Sequence, residues 1–502
     1  MREWPLTVSD APNPGTSAAD ALDGPGIAAI TAGHLLRASD RPVRRAAVDS
    51  RRVEPGMLFV ALPGAHTDGH LHLADALRRG AAALLVTRHL PATELDALAA
   101  ATPGGCSIVR VADGITALQA LAAAWRDRFD PLVVGVTGSI AKTSTKEAVA
   151  AVLAERRVVL RNEGNENNEI GLPLTLLRLE RRHEVAVLEM GMYVAGDIAD
   201  LARIARPRVG IVTAVRGVHL ERAGSIEAIE EGKGQLVEAL PADGTAILNA
   251  DDPRVRRMDR RTAARVVTYG FTETADVTAR DVVSLGLDGM QFMLCLPGAE
   301  GRTVRTPVLG RHAVHNGLAA AAAGLAAGLD ADAIAAGLGR GWGAPHRNAL
   351  RRIGPWLVLD DTYNAGPDSM AAALDVLATL PGRRVAVLGE MLELGPEGPE
   401  LHRAVGRRAA GSADLLVAVG SGGTPIAEGA RAAGLPSARI VEAPDLEAAL
   451  VALLARLQAG DVVLVKASRG LGMDPRERAA RGLGLDDLVD ALERAAGAGG
   501  AA

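Results

Sequence analysis

Short apolar runs recur along the chain, each followed by a longer stretch with helical spacing. Leu132–Val136, Val185–Glu189, Val209–Val215 and Ala246–Asn249 are β-branched runs that predict strands, with helices between them. The pattern returns from Gly354 onward in Trp356–Asp360, Arg384–Leu388, Leu415–Val419 and Val462–Val465. Helical stretches such as Ser369–Leu380 and Leu446–Leu457 separate these runs. Strands alternating with helices at this spacing predict parallel, Rossmann-like sheets. A smaller α/β unit precedes them, with the apolar run Met57–Leu62, the helix-like Leu71–Arg79 and the strand Ala82–Val86. Residues 265–309 read as a β-rich insertion or sheet extension, and Asn316–Leu338 as one long helix or a helix pair. The expected fold is therefore α/β in three domains, at 27–130, 131–348 and 349–485. Residues 1–26 are expected to be disordered, and 486–502 to form a helix end and a flexible tail from Ala495.

Composition narrows the class. At about 150 residues per domain, 502 residues suit three domains with ample core. A net charge of −5 gives no nucleic-acid footprint. Two cysteines, Cys106 and Cys295, cannot build a disulfide framework and suit a reducing cytosol. The first 26 residues are broken by Pro, Asp and Gly and are not expected to be a signal peptide. The Ala-rich stretch Gly317–Gly337 is interrupted by Asp330 and Asp332 and is not expected to span a bilayer. Of 55 basic residues only four are lysines, at 142, 146, 233 and 466. In so Arg-rich a chain, a retained lysine marks a place where a compact ammonium does what a guanidinium does poorly. The basic run Arg254–Arg265 reads as a solvated helix face without a role.

The densest chemistry lies in Val133–Glu147, VVGVTGSIAKTSTKE. A strand feeding Gly138, Ser139, Ile140 and Ala141 into a helix at Lys142 aims backbone N–H groups and a helix N-terminus at a phosphate. Lys142 would reach the β- and γ-phosphates, and the Thr143 hydroxyl, beside Ser144, would ligate Mg2+. The run resembles the TG[ST]xGK[ST] loop of the Mur ligases and folylpolyglutamate synthases, with Ala141 in place of a glycine. A positive φ at that position would strain alanine by about 1–2 kcal/mol, whereas a helical one would cost nothing.

The resemblance continues, in order, through nearly the whole chain. Asp49-Ser50-Arg51, followed by Pro55–Leu62 and Asp68-Gly69-His70, is similar to the domain with which Mur ligases bind a UDP-sugar peptide, which implies that Ser50 and Arg51 lie against the uridine. Asn162–Leu177 (NEGNENNEIGLPLTLL) resembles a substrate and Mg2+-shell loop, with Asn167 and Asn168 as its candidates. Glu189 at a strand end and His219 after another strand would hold Mg2+, and Lys233 would be carbamylated to supply a further ligand. Gln235 stands where the family carries Glu. Gly310–Ala320 resembles the helix start whose Asn316 contacts adenine, with Ala313 replacing a usual Asn. Arg347, in Ala344-Pro345-His346-Arg347, would touch the γ-phosphate. Asp360–Met370 (DDTYNAGPDSM) resembles the DDxYNANPxSM string of the D-Ala-D-Ala-adding branch, with Gly366 for Asn and with Asp361 and Asn364 at the nucleotide. Val387–Gly395 with His402, and Val465–Arg469 with Ala467 for Gly, continue the match, and Lys466 and Arg469 would face substrate.

The resemblance implies a UDP-binding N-terminal domain, a central P-loop ATPase-type sheet and a Rossmann-like C-terminal domain. It implies a bacterial, cytoplasmic, monomeric ligase using ATP and two Mg2+ ions. The tripeptide carboxylate of UDP-N-acetylmuramoyl-tripeptide would form an acyl phosphate, and the amine of D-alanyl-D-alanine would then attack it. Two alternatives rest on the departures at 141, 235, 313, 366 and 467. One is a paralogue with another amino-acid substrate. The other is a protein that binds the UDP-muropeptide without catalysis.

Overall fold

The computed structural model describes residues 21–499 except 65–66, 103, 218–223, 471–476 and 479–480. The first domain carries a five-stranded sheet built from β1 (His34–Arg37), β2 (Ala46–Ala47), β3 (Leu58–Val60), β4 (Ala83–Val86) and β5 (Ser107–Arg110). Its order is β1-β5-β4-β3-β2, parallel except where β1 meets β5. The helix Gly114–Arg126, capped by the Asp113 carboxylate on the Thr116 N–H, closes one face of that sheet. It also packs on the next domain: one apolar core joins Leu118, Leu121 and Trp125 to Leu172, Leu176 and Ala186. The Trp125 indole donates to the Leu179 carbonyl across this junction.

The middle domain is a six-stranded, all-parallel sheet of β6 (Leu132–Thr137), β7 (Val159–Arg161), β8 (Val185–Glu189), β9 (Val209–Val212), β10 (Thr245–Asn249) and β11 (Arg265–Tyr269). The order β11-β10-β9-β6-β8-β7 reverses at β6, and ligands bind at such a reversal, outside the carboxyl ends of the strands. Residues 265–309 divide. Their first strand, β11, extends the parallel sheet, whereas β12 (Thr278–Ser284), β13 (Met290–Cys295) and β14 (Arg302–Thr306) form a separate antiparallel sheet. Phe292, Leu294 and Val304 of that small sheet join the core around the helix Arg311–Ala326. The Ala-rich stretch is a helix pair: Asp330, which interrupts it, caps the second helix, Ala331–Arg340, through the Ala333 N–H.

In the third domain the order is β15-β16-β20-β17-β18-β19, from β15 (Ala349–Ile353), β16 (Trp356–Asp360), β17 (Arg384–Leu388), β18 (Leu415–Val419), β19 (Ile440–Ala443) and β20 (Val462–Lys466). Only β15 runs antiparallel, and apolar cores cover both faces.

Three expectations need correction at their edges. Residues 21–26 are ordered: Leu22 pairs with Val43, and a helix runs over Gly24–Thr31 with Asp23 as its cap. The expected tail from Ala495 continues the helix Asp486–Gly499. The basic run is a short helix, Pro253–Arg256, and a 3-10 turn, Arg257–Arg261, three of whose arginines are engaged in ion pairs described below. Residues 1–20 and 500–502 lie outside the described residues. No helix among the described residues is long and apolar enough to cross a membrane.

Candidate active site

Register places the chemistry. Val136 of β6 lies opposite Glu189 of β8, and Thr137 lies opposite Val212 of β9, so the three strands end at one edge of the sheet. From that edge Gly138 to Ala141 turn into the helix Lys142–Leu153. At Gly138, φ is +151° and a Cβ would come 1.8 Å from the hydroxyl of Thr213, just after β9, so a side chain there would displace Thr213. Ala141 is left-handed, at φ 64° and ψ 5°. Its place in the family's glycine position is therefore a strained one. The Lys142 ammonium donates to the Gly138 carbonyl at 2.8 Å, and burial pushes its pKa below the usual lysine range. Ser139 accepts from the Arg216 N–H at 2.9 Å, and Ser144 occupies the first turn of the helix without a role in these contacts.

Glu189 is 2 % exposed and gripped on both oxygens. Thr143 donates to one at 2.7 Å and Asn167 to the other at 2.7 Å. Among the described residues no three carboxylate, imidazole or thiolate groups converge on one point. The candidate metal donors are thus the oxygens of Glu189, Thr143 and Asn167, a hard set suited to Mg2+, which binds through one or two carboxylates and keeps several waters. His219 lies outside the described residues. Asn168 does not join this cluster: its side-chain oxygen accepts from the N–H groups of Ile170 and Gly171 and starts the helix Gly171–Leu176.

Lys233 is buried in the helix Ile226–Glu238, and its pKa falls well below the usual range through burial and then through the Lys142 charge. Arg254, Arg257 and Arg261 strap this helix by ion pairs to Glu227, Glu230, Glu231 and Glu238. The Gln235 side-chain oxygen accepts from the Ala199 N–H.

The third domain meets this edge through the linker. Arg347 stacks at 4.0 Å over the Tyr363 ring and adds its charge to that felt by Lys142. Its neighbours are pinned: His346 pairs with Asp360 at 2.9 Å, and the Asn348 N–H donates to Asp361 at 3.0 Å. Lys466 is fully buried and donates to Asp361 at 2.5 Å and to the Asn364 carbonyl at 2.9 Å. It therefore holds the DDTYN segment in shape. Arg469 pairs with Asp486. His402, expected only as a continuation of the match, accepts from the Met391 N–H and donates to the Gly398 carbonyl, fixing the turn after β17.

Asn316 is buried in the helix Arg311–Ala326, one residue after His315, which pairs with Asp251 and tilts against Tyr269 and Phe271. Ser50 and Arg51 stand apart in the first domain. Ser50 is buried on Asp75, and Arg51 is 81 % exposed on Asp49, whose carboxyl it lowers to about 2. Arg52, next to them, reaches the Asn-rich loop through a pair with Glu166.

Two residues of the site were not singled out from the sequence. Asn162 brackets Glu189, accepting from its N–H at 2.9 Å and donating to its carbonyl at 3.1 Å. Arg216 joins Asp252 and the third-domain Asp368 to Ser139. Asn162 was within reach as the first residue of an asparagine-rich run, but one arginine among 51 offered no handle.

Comparison with known proteins agrees with this layout. Three family profiles match in order: "Mur ligase family, catalytic domain" over 43–157, "Mur ligase middle domain" over 136–324 and "Mur ligase, glutamate ligase domain" over 346–469. The UDP-N-acetylmuramoyl-tripeptide–D-alanyl-D-alanine ligase of Mycobacterium tuberculosis H37Rv is 40 % identical over 460 residues, which cover 85 % of this chain and 89 % of that one. A crystal structure of MurF from Acinetobacter baumannii is 28 % identical with a TM-score of 0.80, over 94 % of this chain and 99 % of that one. MurF ligase from Thermotoga maritima, solved with ADP, is 30 % identical with a TM-score of 0.72, over 89 % and 98 %. With the phosphate loop, the gripped carboxylate and the linker arginine all at one edge, in the family's own domain order, the chain belongs to the Mur ligase family.

Proposed function

We propose that this chain is an ATP-dependent ligase of peptidoglycan precursor synthesis that joins D-alanyl-D-alanine to UDP-N-acetylmuramoyl-tripeptide, working as a monomer in the bacterial cytoplasm. The observation that carries the reading is the convergence of Lys142, Glu189 and Arg347 at the edge where β6, β8 and β9 end. The named relatives at 35–40 % identity favour this substrate pair over another amino acid.

In the first step the tripeptide carboxylate attacks the γ-phosphorus of ATP, the bond to the β-phosphate oxygen breaks, and ADP leaves behind an acyl phosphate. In the second, the dipeptide amine attacks the acyl carbon, loses a proton, and phosphate departs. Negative charge gathers on phosphate oxygens in both steps, so the protein must supply fixed cations and donors more than a nucleophile. Loop N–H groups and Lys142 hold the phosphates, and Arg347 approaches the transferred group from the linker. The oxygens of Thr143, Glu189 and Asn167 would hold magnesium, which when bound would screen the phosphate charge, and His219 is proposed as a further ligand from the resemblance alone. Burial disfavours the charged form of Lys233, and we propose that its amine takes up carbon dioxide and releases a proton to become a carbamate. Ser50, Arg51 and Arg469 are proposed for the muropeptide, and Asn316, Asp361 and Asn364 for the nucleoside.

The departures at 235, 313, 366 and 467 remove no group with a part in these steps. Ala313 and Ala467 fill core positions, and Gly366 is extended at φ −157° in open space. Phosphate release from ATP and Mg2+ is the test, with each substrate omitted in turn. Release is expected only when both the muropeptide and D-alanyl-D-alanine are present, together with UDP-pentapeptide. Muropeptide binding without any release would replace the ligase with the binding protein.

A further inference from the structure

Three of the four lysines are absorbed by the phosphate loop, the buried amine and the DDTYN segment. The fourth, Lys146, is 0 % exposed on the helix that follows the phosphate loop. Its ammonium lies 2.5 Å from the backbone carbonyl of Asn162 and 3.0 Å from Glu147. Asn162 passes that anchorage on. Its side chain holds both backbone groups of Glu189 and donates at 2.8 Å to the carbonyl of Glu166. The latter bond sets the turn from which Asn167 reaches the Glu189 carboxylate. One buried cation thus fixes, through one asparagine, the backbone of the metal-side carboxylate and the loop that orients it. A guanidinium is planar, longer and carries five donors, so it does not fit an enclosed spot that offers one carbonyl and one carboxylate. The retention of lysine here, in a chain that writes 51 of 55 basic residues as arginine, is a separate observation pointing the same way.

We propose that Lys146 is a positioning residue for the Mg2+–nucleotide centre, acting through Asn162 on Glu189 and Asn167. The proposal rests on the Mg-ATP reading of the site. A lysine that merely braced the helix would affect folding and nucleotide binding without regard to metal. The readout is therefore ADP affinity by calorimetry, with and without Mg2+, in the full-length protein, using Lys146→Met, Lys146→Arg and Asn162→Ala.

Lys146→Met is expected to bind metal-free ADP within about twofold of wild type while needing about tenfold or more additional Mg2+ for the metal-tightened complex. Lys146→Arg is expected not to restore the Mg2+ response. Asn162→Ala should show the same shift, and the double variant little further change, because both act along one path. Shifts that add, variants whose Mg2+ response equals wild type, or equal loss of ADP binding with and without metal would each overturn the proposal. A wild-type protein whose ADP affinity ignores Mg2+ would overturn the reading of the site as well, which separates the two failures.

Discussion

Ala141 holds a left-handed backbone, φ 64° and ψ 5°, at the turn where the phosphate loop becomes a helix. An L-residue there costs about 1–2 kcal/mol, whereas glycine adopts the conformation freely but loses more entropy on folding, about 0.5–1 kcal/mol. The difference favours glycine. Ala141→Gly is expected to stabilise the middle domain by about 0.5–1 kcal/mol, read as a higher urea midpoint, with ADP affinity equal or better. A lower midpoint would mean that the alanine methyl makes a compensating contact. Residue identities of this sort were largely legible in the sequence. Gly138, Lys142, Thr143, Glu189 and Arg347 stand in strings whose order announces their task. Asn168 and Lys466 were legible as candidates, but not the protein contacts they make. Which way a side chain turns, toward a helix start or a buried aspartate, depends on neighbours more than a hundred residues away in the case of Lys466 and Asp361. Asn162, though it opens the quoted Asn-rich segment, acts on backbone groups, and Arg216 acts across domains, and no residue pattern records either contact.

Secondary elements followed the apolar runs closely, since a strand buried on both faces has little freedom in where it starts and stops. Trp356–Asp360, Arg384–Leu388 and Leu415–Val419 form over the residues that the pattern marks. Elements that bury one face or depend on partners did worse. The last helix reaches Gly499 through alanines and glycines that look like a tail, and the basic run gains its structure from the acidic helix beside it. That strap gives a prediction. Replacing Arg254, Arg257 and Arg261 together by glutamine removes the pairs to the helix that bears Lys233. These pairs are largely solvent-exposed, so the expected loss is about 1 kcal/mol in total at low salt, shrinking as salt is raised. Chemical denaturation at two ionic strengths checks it. A loss indifferent to salt would assign the strap's contribution to packing of the arginine stems.

At the scale of the whole molecule, the three domains are not joined in the same way. The first two share a core through the helix Gly114–Arg126, so their junction is built like an interior. The middle and third domains share one apolar contact, Leu309 buried in the third-domain core, and otherwise meet through polar ones: Arg216 with Asp368, and the linker residues His346 and Asn348 with the paired aspartates. Polar contacts of this kind allow relative motion, and ligases that sequester an acyl phosphate need closure. Asp368→Asn removes one exposed pair worth less than about 1 kcal/mol, so phosphate release should slow by no more than about fivefold. That slowing should disappear at high salt, where the wild-type pair is screened too. An effect that grew with salt would move the closing contact elsewhere.

The scarcity of lysine has a consequence for handling the molecule. Lys146, Lys233 and Lys466 are all buried, and Lys142 sits in the phosphate loop. The described surface therefore offers amine-directed reagents almost nothing to acylate. Conjugation to beads, dyes or sensor chips by that chemistry would fall on the chain's amino end or on the nucleotide cradle itself. A mild acylating reagent then becomes an occupancy gauge: a tag at Lys142 reports a cradle open to solvent, and protection of that amine reports one filled by ligand.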